Sequence, residues 1–72
     1  MDKKDNDFLR KVGRKIAKTR MDKGYSQDSL ALEADISRRT IFRLEGGDIN
    51  PKILTLKKVA KALKIDLYEL IK

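Results

Sequence analysis

The chain has 72 residues, room for one domain whose core is limited to ~60% of the extended-chain surface. It contains no cysteine and no histidine, which removes disulfides, thiolate metal sites and the commonest general base, and with them most hydrolase, redox and zinc chemistry. A formal charge of +7 suggests a polyanionic partner, and no apolar run approaches the ~20 residues that span a bilayer.

The first seven residues, MDKKDND, are polar, offer nothing to bury and lack the apolar segment of a secretory signal. They read as a loose tail (1–7) before a single domain (8–72) of a soluble, cytoplasmic protein. A first helix is expected from about Phe8, capped by Asp7 or Asn6, with Phe8, Val12, Ile16 and Thr19 as its inward stripe and Gly24 as a left-handed stop. Ser26 then caps a short helix over about Gln27 to Ala34, with Asp28 in the first turn and Tyr25 and Leu30 as a hydrophobic staple. Ser37 caps a third helix running to about Glu45 and stopped at Gly46-Gly47, with Ile36 and Ile41 as its staple. Only Asp35, Ile36 and Ser37 separate these two helices, so they must turn sharply against each other. After GGDINPK, a fourth helix is expected over about Ile53 to Lys64 with Ile53, Leu56, Val59, Ala60 and Leu63 as its apolar stripe, and Asp66 can cap a last short one through Leu67, Leu70 and Ile71. No segment alternates with the period of a strand. The expected fold is all-α, five short helices.

Charge is unevenly placed: net +5 over residues 1–24, −2 over 25–50 and +4 over 51–72. The three cations of the middle region nevertheless fall together in ISRRTIFRLEGG, Ile36 to Gly47. On a wheel of ~100° per residue, Ile41 and Leu44 share the inward side of the third helix. Arg39 points almost directly away from them, with Phe42 and Arg43 beside it and Arg38 a little further round. Guanidinium forks bind phosphate and also pair bidentately with guanine in the major groove, which an α-helix fits. A charged helix face that merely meets solvent is the competing reading, and Phe42 has two: packing against a neighbouring segment, or contact with a thymine methyl group.

QDSLALEADISRRTIFRLEGG resembles the helix-turn-helix of the Xre-type family, which includes the phage lambda repressor and Cro proteins. Gln27, Leu30, Ala31, Ala34, Ile36, Ile41 and Leu44 carry the resemblance, and VGRKIAKTR and NPKILTLKKVAKAL extend it over roughly Phe8 to Ile71. It departs from the family at Asp35, where a glycine is usual in the turn, at Thr19, where a leucine is common, and at Lys64, where a glycine is frequent.

The resemblance implies a bacterial or phage regulator of transcription, a repressor, that binds double-stranded DNA without a cofactor or metal. It implies base reading by Arg38, Arg39, Thr40, Phe42 and Arg43, and phosphate contacts by Ser26, Gln27, Ser37, Asn50 and Lys52. It also implies a structural ion pair between Arg20 and Glu45, and a homodimer built on the C-terminal region through Leu54, Leu67, Tyr68 and Ile71. An antitoxin that neutralises a toxin partner and also binds its own operator is the alternative. A carboxylate enzyme finds neither clustered acids nor a phosphate loop to support it.

Overall fold

The computed structural model describes residues 2–72. Among these, five α-helices and no strands are found: α1 (Lys3–Asp22), α2 (Gln27–Ala34), α3 (Arg38–Glu45), α4 (Ile53–Ala62) and α5 (Tyr68–Ile71). The all-helical architecture is the one expected, but its first helix is not.

Helix α1 begins at Lys3, five residues before the expected start at Phe8. Neither Asp7 nor Asn6 caps it. The side chain of Asp2 accepts the amide of Asp5 at 2.9 Å, and Asp5 adds a carboxylate where the helix dipole favours one. The segment expected to be a loose tail is therefore helical over residues 3–7, with Met1 outside the described residues. It stays solvated, as its composition requires, while the packed turns behind it hold it in register.

The inward stripe also differs: Leu9, Val12, Gly13 and Ile16 are buried, whereas Phe8 is half exposed and Thr19 only partly covered. The cause is the partner that α1 packs against. A Cβ on Gly13 would lie 2.4 Å from the carbonyl oxygen of Leu44 and 2.5 Å from that of Glu45. The end of α3 thus rests directly on the α1 backbone at Gly13, and that contact selects the face turned inward.

The turns repeat one device. Helices α1 to α4 each close with a six-residue backbone bond: Tyr25 to Arg20, Ile36 to Ala31, Asp48 to Arg43 and Ile65 to Ala60, all at 3.0–3.1 Å. This closure requires a left-handed residue just past the helix. Gly24 and Gly47 supply it at φ of 80° and 71°, but Asp35 and Lys64 supply it at 56° and 59°. Aspartate tolerates that region better than most residues, whereas lysine bears the full Cβ clash. Helix α4 consequently ends at Ala62, short of the Lys64 expected from sequence.

Ile16, Leu30, Ile41, Val59, Leu63 and Leu70 form the fully buried centre, one or more from every helix. Helix α3 packs on α1 and α2, α4 packs on α2, and α5 closes against α1. Asp66 accepts the Tyr68 amide at 2.9 Å and so starts α5. No described helix is long and apolar enough to cross a membrane.

Candidate nucleic-acid interface

Helix α3 is capped by Ser37, whose hydroxyl accepts the Thr40 amide at 3.0 Å and lies 2.8 Å from the Thr40 hydroxyl. Ile41 and Leu44 are buried beneath it. Arg38, Arg39, Phe42 and Arg43 are all exposed on the remaining surface. Phe42 is 60% exposed, so burial against a neighbouring segment does not account for it. Together with Arg38 and Arg39 it lines a shallow open hollow. Thr40 is half-buried, its hydroxyl turned to the cap.

The cations are not equivalent. Arg38 Nε lies 3.1 Å from Asp28 Oδ1 in the first turn of α2. Among the described residues, Arg39 and Arg43 have no carboxylate within ion-pair distance.

Beneath this face lies a polar cluster that ties three helices together. Arg20, near the end of α1, donates from Nε to Glu45 Oε2 at 2.7 Å and from Nη2 to Oε1 at 3.0 Å. Its Nη1 donates to the Tyr25 carbonyl at 2.9 Å. The Gln27 side-chain amide donates to Glu45 Oε1 at 3.1 Å. Only 13% of the Arg20 side chain and 8% of Glu45 remain exposed, so the pair is largely desolvated and its geometry decides whether it stabilises. The hydrogen bonds that Arg20 donates to Glu45 hold its guanidinium pKa above the usual range, burial opposes the rise, and the Glu45 charge adds to it. No buried side-chain nitrogen or oxygen among the described residues lacks a partner.

The expected phosphate-contacting residues are distributed more widely. Ser26 is exposed, but its hydroxyl serves the cap of α2 by accepting the Ser29 amide at 3.0 Å, and Ser29 returns the interaction to the Ser26 amide at 2.8 Å. Gln27 has its amide on Glu45 and is half-buried. Lys52 is exposed just before α4, with no side-chain cap bond. Asn50 is exposed and sits beside Asp5, Phe8 and Leu9 of α1.

The C-terminal apolar residues divide into two groups. Leu67 is partly buried and packs against the core. Leu54, Tyr68 and Ile71 are exposed, and Ile53, expected on the apolar stripe of the fourth helix, is exposed still further at 73%, because it lies in the first turn of α4, ahead of the buried Val59 and Ala60.

Sequence reasoning missed three contacts around this site: Asp28 with Arg38, Gln27 with Glu45, and Gly13 under α3. The Ser26-x-x-Ser29 box was legible in principle as a capping pattern. So was Gly13, a glycine inside a strongly helical run. The two cross-helix pairs carry no local signal.

Comparison with known proteins adds an independent line. A match to the family described as Helix-turn-helix covers residues 16–70. The chain is 40% identical over 60 residues to the HTH-type transcriptional regulator SlrR of Bacillus subtilis (strain 168), covering 82% of this chain and 40% of that regulator. It is 35% identical over 66 residues to the control protein C.MunI of Mycoplasma sp, covering 90% of this chain and 89% of that protein. The crystal structure of the restriction-modification controller protein C.AhdI from Aeromonas hydrophila superposes with a TM-score of 0.83 at 31% identity, over 89% of this chain and 96% of that one.

Proposed function

The chain belongs to the helix-turn-helix family of DNA-binding transcriptional regulators, and from that premise we propose that it is a sequence-specific repressor that reads the major groove of double-stranded DNA with α3. One observation carries this reading: α3 is fastened by Ile41 and Leu44 while Arg38, Arg39, Arg43 and Phe42 stand exposed on its outer surface. Arginine forks suit guanine edges, and Phe42 suits a thymine methyl group. Ser26, Gln27, Ser37, Asn50 and Lys52 supply phosphate contacts, by side chain or by the free amides at helix starts. Such contacts set the register of the protein on the duplex without reading sequence. The protein acts by occupancy, in the cytoplasm, with no catalytic step.

The working form is a homodimer that joins two copies through Leu54, Tyr68 and Ile71, with the neighbouring Ile53. Exposed apolar side chains of this size favour burial on association. The two α3 helices of such a dimer read half-sites about one helical turn, ~34 Å, apart.

Selection from random duplexes tests the reading. The purified protein should enrich a two-fold related site at moderate salt, and failure to enrich any sequence over bulk DNA refutes it. Sedimentation tests the assembly: Leu54→Asp with Tyr68→Asp should convert a dimer to a folded monomer.

A further inference from the structure

Asp28 is an odd residue to find beside a DNA-reading helix. It is exposed in the first turn of α2, where a carboxylate repels phosphates, yet it lies 3.1 Å from Nε of Arg38. Helix-start stabilisation does not require it, because the Ser26 and Ser29 box already caps α2. Nor does folding require the pair: the two side chains are 67% and 77% exposed, and ion pairs so open contribute little to stability.

The geometry suggests another use. The closest approach of the carboxylate is to Nε, at the root of the guanidinium. The Arg38 side chain makes no hydrogen bond within the described protein, at Nε or at the terminal Nη groups, so Asp28 acts on it as a charge beside the root of the guanidinium. An unrestrained arginine on an open helix samples many rotamers and meets phosphate, the most abundant anion on the duplex, in contacts that carry no sequence information. A carboxylate at the root narrows the directions of the planar fork and leaves its donor end available. That end matches the paired acceptors O6 and N7 of guanine. The same carboxylate penalises phosphate, so it also lowers binding to wrong sequences.

Building on the reading of α3 as the DNA-recognition helix, we propose that Asp28 is a positioning and specificity-determining residue, aiming Arg38 at a guanine in each half-site and away from the backbone. Asp28 touches no base itself. Its effect is exerted entirely through Arg38, across the two helices of the motif.

The test uses the full chain as wild type, Asp28→Asn, Asp28→Glu, Arg38→Ala and the double variant Asp28→Asn with Arg38→Ala. Each is titrated against the selected site, its single-base substitutions and a random duplex. Asp28→Asn should lose about tenfold in discrimination at one guanine position. It should also bind random duplex more tightly, with an unchanged melting temperature. Asp28→Glu should restore part of the discrimination. In the Arg38→Ala background, Asp28→Asn should alter discrimination at no position. Wild-type discrimination retained at every position in Asp28→Asn overturns the proposal while leaving the DNA reading intact. An equal loss with and without Arg38 does the same, as does a uniform loss on all sequences accompanied by a lower melting temperature. A wild-type chain that selects no sequence refutes the DNA reading itself, and the proposal falls with it.

Discussion

Replacing Gly13 with alanine sets two known effects against each other. Alanine in a helix interior is favoured over glycine by about 1 kcal/mol, so on α1 alone the change would stabilise. Against this, the new Cβ would meet the Leu44 oxygen at 2.4 Å, the Glu45 oxygen at 2.5 Å and the Glu45 carbonyl carbon at 2.9 Å. Ordinary contact begins near 3.4 Å, so α1 and the end of α3 must separate by about 1 Å. The obstructing atoms are backbone, and no side-chain rotation relieves them. Inserting a methyl group into a packed contact of this kind costs about 1–3 kcal/mol, occasionally more. Because the whole end of α3 has to move, we expect the upper part of that range and a net destabilisation of about 1–2 kcal/mol. For a domain of this size that lowers the melting midpoint by roughly 5–15 °C. The displacement also tilts α3, so affinity for the selected DNA should fall further than the fraction folded explains. Urea and thermal unfolding followed by circular dichroism measure the first effect, and titration at a temperature where the variant remains folded measures the second. A Gly13→Ala variant as stable as wild type, or more so, would refute the reasoning: the helix propensity would then have outweighed the contact.

Further outcomes follow from the polar cluster, the turns and the outer face. Glu45→Ala strands a nearly buried guanidinium and should cost about 2–4 kcal/mol in urea unfolding, whereas replacing Arg20 and Glu45 together by apolar residues should cost clearly less. Since Glu45 raises the Arg20 guanidinium, the stability Arg20 gains from that shift is complete below its ordinary range and disappears only as strong alkali carries pH through the raised value. The difference in urea midpoint between wild type and Arg20→Met should therefore be constant between about pH 6 and 9, and a drift there would count against the assignment. Lys64→Gly relieves a left-handed lysine at φ 59° and should stabilise by about 1 kcal/mol; a loss on thermal melting would show that the Cβ clash is not the dominant cost. Arg39→Ala should relax selectivity at one base position, while Lys52→Ala should weaken all sequences alike and lower the salt slope by about one. Identical, sequence-independent losses for both would overturn that division of roles.

What could be read from the sequence was the part governed by neighbours in the chain. The start of α2 at Ser26, the three-residue turn and the Ile41 and Leu44 stripe are local, and each lies where spacing and capping placed it. The separation of α3 into a buried side and a cationic side followed from helix geometry alone. The beginning of α1 was misplaced because Asp2 competes with Asp7 and Asn6 as a cap, and composition does not rank three equivalent caps. Phe8 was taken for a core residue because it is the largest apolar side chain near the start. The core instead follows the register set at Gly13, a contact made 31 residues away in sequence with Leu44. The pairings of Asp28 with Arg38 and Gln27 with Glu45 depend on how α2 and α3 cross, which no spacing within either helix specifies. The Arg20 and Glu45 pairing came only from family resemblance, since 25 residues of chain separate the two.

The length of α3 ties these contacts to function. Eight residues are far below the ~12–15 at which an isolated helix persists in water, so α3 owes its existence to its surroundings. Its first turn is held by Ser37, its middle by Ile41 and Leu44, and its end by Gly13 and the Arg20–Glu45–Gln27 cluster. Each support uses a residue on the inward or lateral side, leaving Arg39, Phe42 and Arg43 free of structural duty. On the proposed reading, a helix held this way would enter the groove already formed, without the ordering cost that a flexible segment incurs on binding. It also separates two kinds of substitution. On the proposed reading, changes at Arg39, Phe42 and Arg43 should alter which sequence is selected while the fold stands. Changes at Gly13, Glu45 or Ile41 should instead displace or unfold α3, so that no choice of DNA sequence would restore binding.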